Sequence, residues 1–449
     1  MKVGWGLLVL VLTASVAHGQ EPRPDAPRWD WGFQVTAITQ FAPSFDSPYE
    51  GRNSFLNEGS GKPATTFVPT LFLAARLWKG AWISVQPEFS DGSGVGGGTG
   101  VAAYANQDVL RTTTLAGKPY LARAFIQQAI PLGASAAETE DPPVAEEKFL
   151  PSGNHLFGAP GRRRLEITLG KVSLPDFYDA ADFGREAHHG LMSWGLVNTG
   201  SWDYAADTRG YTWGLTVAYE GGPLAVRAGT YAMPEVANGA TYDHHFSNAH
   251  AENLEVEWGF DPANRGAVRL LGYLNHANMG SYDESLALAA STGGTPDITA
   301  TRQEGRKKYG FSLNAQRLLT PDLGTFLRLG WSDGNTETFA YTEIDRNAVL
   351  GLSHGGAPWK RPNDRVVVAV ALDGLSAPHR RYLEAGGLGV QLGDGRLNYG
   401  PEVVAEVNYA ARVTSAVSIG LDGQYVVNPG YNRDRGPITI YGIRLHAGF

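Results

Sequence analysis

Apolar side chains on every second residue, repeated in run after run, restrict this chain to sheets with two unlike faces. The last third shows the pattern best. Val403, Ala405, Val407, Tyr409, Ala411 and Val413 are apolar, with Glu402, Glu406, Asn408 and Arg412 between them. After the turn Thr414-Ser415-Ala416, the residues Val417, Ile419, Leu421 and Tyr425 alternate with Ser418, Asp422 and Gln424. The closing run sets Tyr441, Ile443, Leu445 and Phe449 against Arg444 and His446. A strand turns successive side chains to opposite faces, so period two separates the two sets.

Sixteen such runs can be counted, at 29–41, 65–78, 81–90, 119–131, 164–173, 209–221, 223–233, 250–260, 265–276, 308–318, 322–334, 338–353, 364–374, 400–413, 416–427 and 436–449. Several connections after even runs are short: Lys79-Gly80, Gly221-Gly222, Asp261 to Asn264, Leu319 to Pro321 and Thr414 to Ala416. Most connections after odd runs are long, such as 91–118, 174–208, 277–307 and 375–399. Short turns on one rim and long loops on the other fit an all-β, antiparallel up-and-down transmembrane barrel with both termini on the periplasmic side. Residues 132–163, with the acidic proline-rich stretch Glu138 to Glu147, break the rule, being long on the short-turn rim.

Alternation alone also fits a soluble β-sandwich or a pair of propellers. Two further features favour the membrane. Aromatic residues stand near run ends (Trp29, Trp31, Tyr120, Tyr211, Trp213, Trp258, Trp331, Tyr425 and Tyr441), as membrane girdles require. The N-terminus reads as a secretory signal: Lys2, an apolar run from Gly6 to Val16, then Ala17-His18-Gly19 before Gln20. That run is shorter than the roughly 20 residues a spanning helix needs. The expected organisation is therefore a signal peptide over 1–19, a lead-in over 20–28 and one barrel over 29–449. The longest later apolar run, Val366 to Leu372, has the length of a strand. Cysteine is absent, which a large closed sheet tolerates, and a net charge of −8 argues against a nucleic-acid partner.

Several stretches together resemble the carbohydrate-selective outer-membrane porin family of the OprB type. They are Arg76-Leu77-Trp78-Lys79-Gly80 running into Gln86-Pro87-Glu88, then Leu169-Gly170-Lys171 with Asp176-Phe177. Asp203-Tyr204-Ala205-Ala206-Asp207 follows, with Gly210-Tyr211-Thr212-Trp213-Gly214. Then come Gly280-Ser281-Tyr282 through Gly293-Gly294-Thr295-Pro296-Asp297, and Gly386-Gly387-Leu388-Gly389. The last are Gln424-Tyr425 to Asn428-Pro429, Asn432-Arg433-Asp434-Arg435-Gly436-Pro437, and Arg444 to Phe449. The similarity runs from about residue 70 to the end. It implies a sixteen-stranded barrel and diffusive uptake of monosaccharides such as glucose, and it does not fix the sugar.

If the apolar set faces lipid, the lumen receives the polar set: Glu88, Arg123, Glu166, Arg227, Glu255, Glu257, Arg269, Arg328, Glu402, Glu406, Arg412, Asp422 and Arg444. Both signs are interspersed. A strongly ion-selective pore favours one sign, whereas mixed acids and guanidinium groups offer donors and acceptors to sugar hydroxyls. Mutual neutralisation of the wall is the competing reading for each of them. The segment from Pro175 to Arg209 is the second candidate, expected to fold inward and narrow the channel. It carries Phe177, Tyr178, Phe183, Trp194, Trp202 and Tyr204 beside Asp176, Asp179, Asp182, Asp203 and Asp207. Aromatic planes suit the C–H faces of sugars and carboxylates suit their hydroxyl edges, which singles out Trp194, Trp202, Asp176 and Asp203. The competing reading is a satellite core that merely holds the loop.

No catalytic set, cofactor or metal site is expected. His188-His189 and His244-His245 lack completing ligands and read as exposed loop residues. Gly94 to Gly100 lacks the ending of a phosphate loop, and Gly190 to Gly195 contains no hydrolase elbow. Only His446 is assigned to a strand interior with acidic company, and no partnered serine is evident for a barrel hydrolase. Asn432 to Asp434 is compatible with calcium or with capping a loop. The remaining alternative is a surface polysaccharide-binding or plugged barrel. The expected partners are small sugars, outer-membrane lipid, and the barrel-assembly machinery through the strand ending in Phe449.

Overall fold

The computed structural model describes residues 28–57, 61–109, 117–132, 163–184, 190–340 and 342–449. The signal peptide and nearly all of the lead-in, the acidic stretch of 133–162 and His188-His189 lie outside them.

Seventeen strand segments form one sheet. The segment Asp91–Gly92 only prolongs the third strand along Thr66 and Phe67, so sixteen staves result. They are β1 (Trp29–Phe41), β2 (Ala64–Trp78), β3 (Ala81–Glu88), β4 (Tyr120–Pro131), β5 (Arg163–Val172), β6 (Thr212–Gly221), β7 (Leu224–Ala232) and β8 (His250–Asp261). The second half holds β9 (Gly266–Met279), β10 (Gln303–Thr320), β11 (Leu323–Ser332), β12 (Arg346–Gly355), β13 (Arg365–Gly374), β14 (Glu402–Arg412), β15 (Val417–Val427) and β16 (Ile438–Gly448). Each pairs antiparallel with its neighbours in sequence. The ring closes where Ala37 of β1 meets Leu445 of β16. Closure removes the sheet edges that lipid could not satisfy.

The outward face exposes a band of large apolar side chains: Leu169 and Leu350 are each 61% exposed, Leu270 57% and Leu421 55%. A soluble sandwich would bury these positions, and soluble surfaces do not carry so large an apolar patch. Aromatics flank the band. Trp29, Trp31, Trp78, Trp258 and Phe260 are exposed near the short-turn rim, and Phe41, Trp213, Tyr309, Tyr425 and Tyr441 near the long-loop rim.

Three expectations are corrected. The strand expected at 338–353 begins only at Arg346, because residues 333–340 and 342–345 turn inward, where Phe339, Ala340 and Ile344 are buried. The strand expected at 308–318 spans Gln303–Thr320 and so extends further toward the long-loop rim. Apolar residues also occupy the inner face of the later staves. Val349, Val367, Ala369, Ala371, Val404, Val426, Ile438 and Ile440 are buried there, in one cluster with Leu191, Leu196 and Val197 of an inward-folded loop. This explains the continuous run Val366 to Leu372. Val368, Val370 and Leu372 are exposed outward, while Val367, Ala369 and Ala371 are covered from inside.

Candidate functional site: the lumen and its inward loops

Among the described residues, the loops after β3 and β5 fold into the barrel against its wall. The first follows β3 and carries the glycine run. Gly96, Gly97 and Gly100 adopt positive φ. A Cβ on Gly100 would sit 1.7 Å from the Phe55 nitrogen, so only glycine permits this contact with the preceding loop. The glycines are thus a packing device. The loop's carbonyl at Ala105 accepts from Gln40 and Gln424, each at 2.9 Å.

The second loop joins β5 to β6 and contains the short helix α1 (Trp194–Val197). It folds inward as expected, and the wall residues chosen from sequence are largely its anchors. Arg123 holds Asp176 in a two-pronged pair at 2.7 and 2.8 Å. Glu406 accepts from the Met192 and Ser193 N–H groups, the latter at 3.0 Å. Arg444 donates to the Gly190 carbonyl and Arg328 to that of Leu196, both at 2.8 Å. Arg328 is fully buried, its guanidinium 4.8 Å from the Phe326 ring centre. Glu402 anchors the first loop, accepting from Ala102 N–H at 2.9 Å, and also receives Gly430 N–H at 2.6 Å. Glu88 accepts from Thr70 at 2.8 Å and from the hydroxyls of Tyr120 and Tyr211. Asp422 is bound by Asn408 and Gln424, each at 3.0 Å.

A second group of wall residues forms one mixed-charge cluster. Arg227 bridges Glu220, Glu255 and Glu257 at 2.9, 3.0 and 2.8 Å. Arg269 pairs with Glu257 at 3.1 Å. Beside them Glu166 is bound by Arg164 and Gln127. The loop rests on this cluster, since Asp179 N–H donates to Glu255 and Asp182 N–H to Gln316, both at 2.7 Å. Part of the cluster stays open, with Arg227 14% and Glu257 20% exposed on the inner face.

Four sequence-derived candidates are relocated. Arg412 lies at the short-turn rim, exposed, and donates to the Ser415 carbonyl at 3.0 Å, so it lines no lumen. Trp202 is 2% exposed, packed against Tyr178 and Tyr204, with its indole N–H bonded to Asn253 at 2.9 Å. No ring face is left for a sugar. Asp203 is consumed by Phe339 N–H, Ala340 N–H and Lys308. Asp176 is held by Arg123 and packs with the loop. Trp194 stays half-buried beside Tyr204.

Sequence reading missed the loop network on the long-loop rim. His379 lies in α2 (Ala377–Glu384), fully buried, 2.9 Å from Asp345 and stacked on Tyr282. Burial alone would push its imidazole down, but the charge and hydrogen bond of Asp345, with Glu343, outweigh this and hold it up at about 9. Burial likewise raises the Asp345 carboxyl, yet His379, Lys308 and the Ser376 N–H bring it well below the usual carboxylate range. These residues sit in irregular loops, where no period marks them. His446, the histidine expected in acidic company, bonds Thr36 at 2.9 Å. On another strand, His250 lies beside a carboxylate, 3.1 Å from Glu252.

The comparisons with known proteins agree with this architecture. The model of the carbohydrate-selective porin family, OprB, matches residues 76–449. No curated protein matches the chain. Among solved structures, the high-pH structure of Pseudomonas putida OprB is similar with a TM-score of 0.66 at 16% identity, covering 94% of each chain. The outer-membrane channel DcaP of Acinetobacter baumannii is similar at 8% identity and a TM-score of 0.49, over 94% of this chain and 97% of that one. The chain, a β-barrel of the bacterial outer membrane, belongs to the carbohydrate-selective porin family.

Proposed function

We propose that this porin passes small sugars, monosaccharides such as glucose among them, by passive diffusion along the inner wall. The observation that carries this reading is the partly open cluster of Arg227, Glu220, Glu257 and Arg269 facing an inward-folded loop. Guanidinium N–H groups donate and carboxylates accept, so one wall serves both roles of a sugar hydroxyl. With both signs present no ion is strongly favoured, and binding stays weak enough for release. Trp194 is the aromatic platform of this reading, since Trp202 is covered. The close packing of the loops against Arg328 and Arg444 favours one second reading, a plugged barrel that binds polysaccharide at its surface.

Liposome swelling with purified protein separates the two. Monosaccharides should enter faster than trisaccharides, and equal exclusion of both would favour the plug. In planar bilayers Trp194→Ala should weaken the block of ion current by added glucose. An unchanged block would move selectivity to the Arg227 cluster.

Export and assembly belong to the same reading. N-terminal sequencing of the outer-membrane protein should begin at Gln20. The C-terminal strand ending in Phe449, whose backbone pairs with Phe33 at 2.8 and 3.0 Å, is proposed as the segment the assembly machinery reads. Deleting Phe449 should lower the yield of inserted barrel.

A further inference from the structure

Near the long-loop rim, the outward face of β8 and β9 departs from its apolar rule. On β8, His250 and Glu252 both point outward, two residues apart. On β9, His276 lies directly opposite His250 in the register. The two imidazoles stack with centroids 4.4 Å apart and planes at 14°. The Nε2 of His250 is 3.1 Å from Oε1 of Glu252. One ligand atom from each of the three residues falls within a 4.8 Å span. The outward residues that follow toward the membrane centre, Leu254 on β8, Leu274 on β9 and Tyr309 and Phe311 on β10, are the apolar and aromatic ones the pattern calls for.

We infer that His250, Glu252 and His276 form a surface site for a divalent transition cation of the zinc type, clamping β8 to β9. Three considerations lead there. Two imidazoles and a carboxylate form a recognised zinc donor set, which binds through three protein ligands and leaves a fourth position for water or another oxygen donor. The donors are under-used without a cation: Nδ1 of His250 and Oε2 of Glu252 are covered and have no hydrogen-bond partner. Position also favours the cation. Tyr309 of the aromatic girdle is level with Leu274, and the histidine pair lies one row further toward the long-loop rim, at the height of polar headgroups. A carboxylate oxygen and an imidazole nitrogen left without partners are costly beside hydrocarbon, and coordination offsets that cost. Lys307, opposite His276 on β10, adds a positive charge that lowers the affinity and favours an oxygen anion in the fourth position.

The test uses the full barrel without a histidine tag, in detergent micelles, titrated with cobalt(II) and with zinc(II). One equivalent of cobalt should give the intense visible absorption of a four-coordinate ion, and zinc should displace it. His250→Ala and His276→Ala should each weaken binding at least tenfold. The double variant His244→Ala/His245→Ala, altered in the neighbouring exposed loop, should bind as the parent does. Glu252→Gln keeps the side-chain shape and serves as the second variant if a histidine variant fails to insert. It should also weaken binding. Absence of stoichiometric binding, binding as tight as the parent's in the three triad variants, or loss only in the loop double variant would each overturn the assignment.

Discussion

Replacing Val407 by arginine tests the orientation on which every lumen residue depends. Val407 is the sixth of eleven residues in β14 and 47% exposed on the outer face. Val368 and Gly423 stand opposite it on the two adjacent strands. That places it near the middle of the apolar band, where arginine on the lipid face of a barrel costs about 2–4 kcal/mol. At 1.4 kcal/mol per tenfold, the folding equilibrium should fall by roughly 30- to 700-fold. Its chain neighbour Glu406 faces inward and holds the Met192 and Ser193 N–H groups. Glu406→Gln keeps the shape and one acceptor, so the barrel should insert while attachment of the loop weakens. The assay is guanidinium-dependent folding into phospholipid vesicles, followed by tryptophan fluorescence, with single-channel conductance measured on the inserted protein. Val407→Arg should shift the folding midpoint and Glu406→Gln chiefly the conductance. The reverse pattern would show that odd positions of β14 face inward, and the lumen assignment would fail with it.

Further outcomes follow from the same geometry. Arg328→Met removes the donor to the Leu196 carbonyl, a charged bond worth about 1.5–3 kcal/mol, and should raise current noise as α1 loosens; a channel as quiet as the parent would refute the anchoring role. The inner wall mixes acids with arginines, so reversal potentials under a salt gradient should lie near zero, and a steep potential of either sign would contradict the assigned faces. His379 is held at about 9 when folded, above its unfolded value of roughly 6.5, so its contribution is complete below the unfolded value and is lost as pH rises through about 9. Hydrogen exchange of the α2 loop should accordingly quicken between pH 7.5 and 10 more in the parent than in His379→Gln, and equal pH dependence would show that His379 carries no such linkage.

The alternation of residues separated the two faces of each stave, and the lengths of the connections, with the aromatic run ends, gave the two unlike rims of a sixteen-stave barrel. Period two is a local property of the strand, and each outward Leu or Val meets lipid whatever its neighbours do. By the same period Glu255, Arg269, Glu406 and Arg444 fall on the face opposite the exposed band, where each is buried. The period failed where one residue answers to two surroundings. Val367 and Ala371 are apolar on the inner face because a loop from residues 190–197 covers them, and no pattern within β13 announces that cover. Trp202 looked like a sugar platform because composition records an aromatic ring but not the Tyr178 and Tyr204 that enclose it. His250 and His276 are 26 positions apart in the chain and become opposite only through the register of β8 against β9, so their pairing with Glu252 could not be read before the sheet was built. Local sequence sets which face a side chain takes; only the closed sheet and its folded-in loops decide what that side chain meets there.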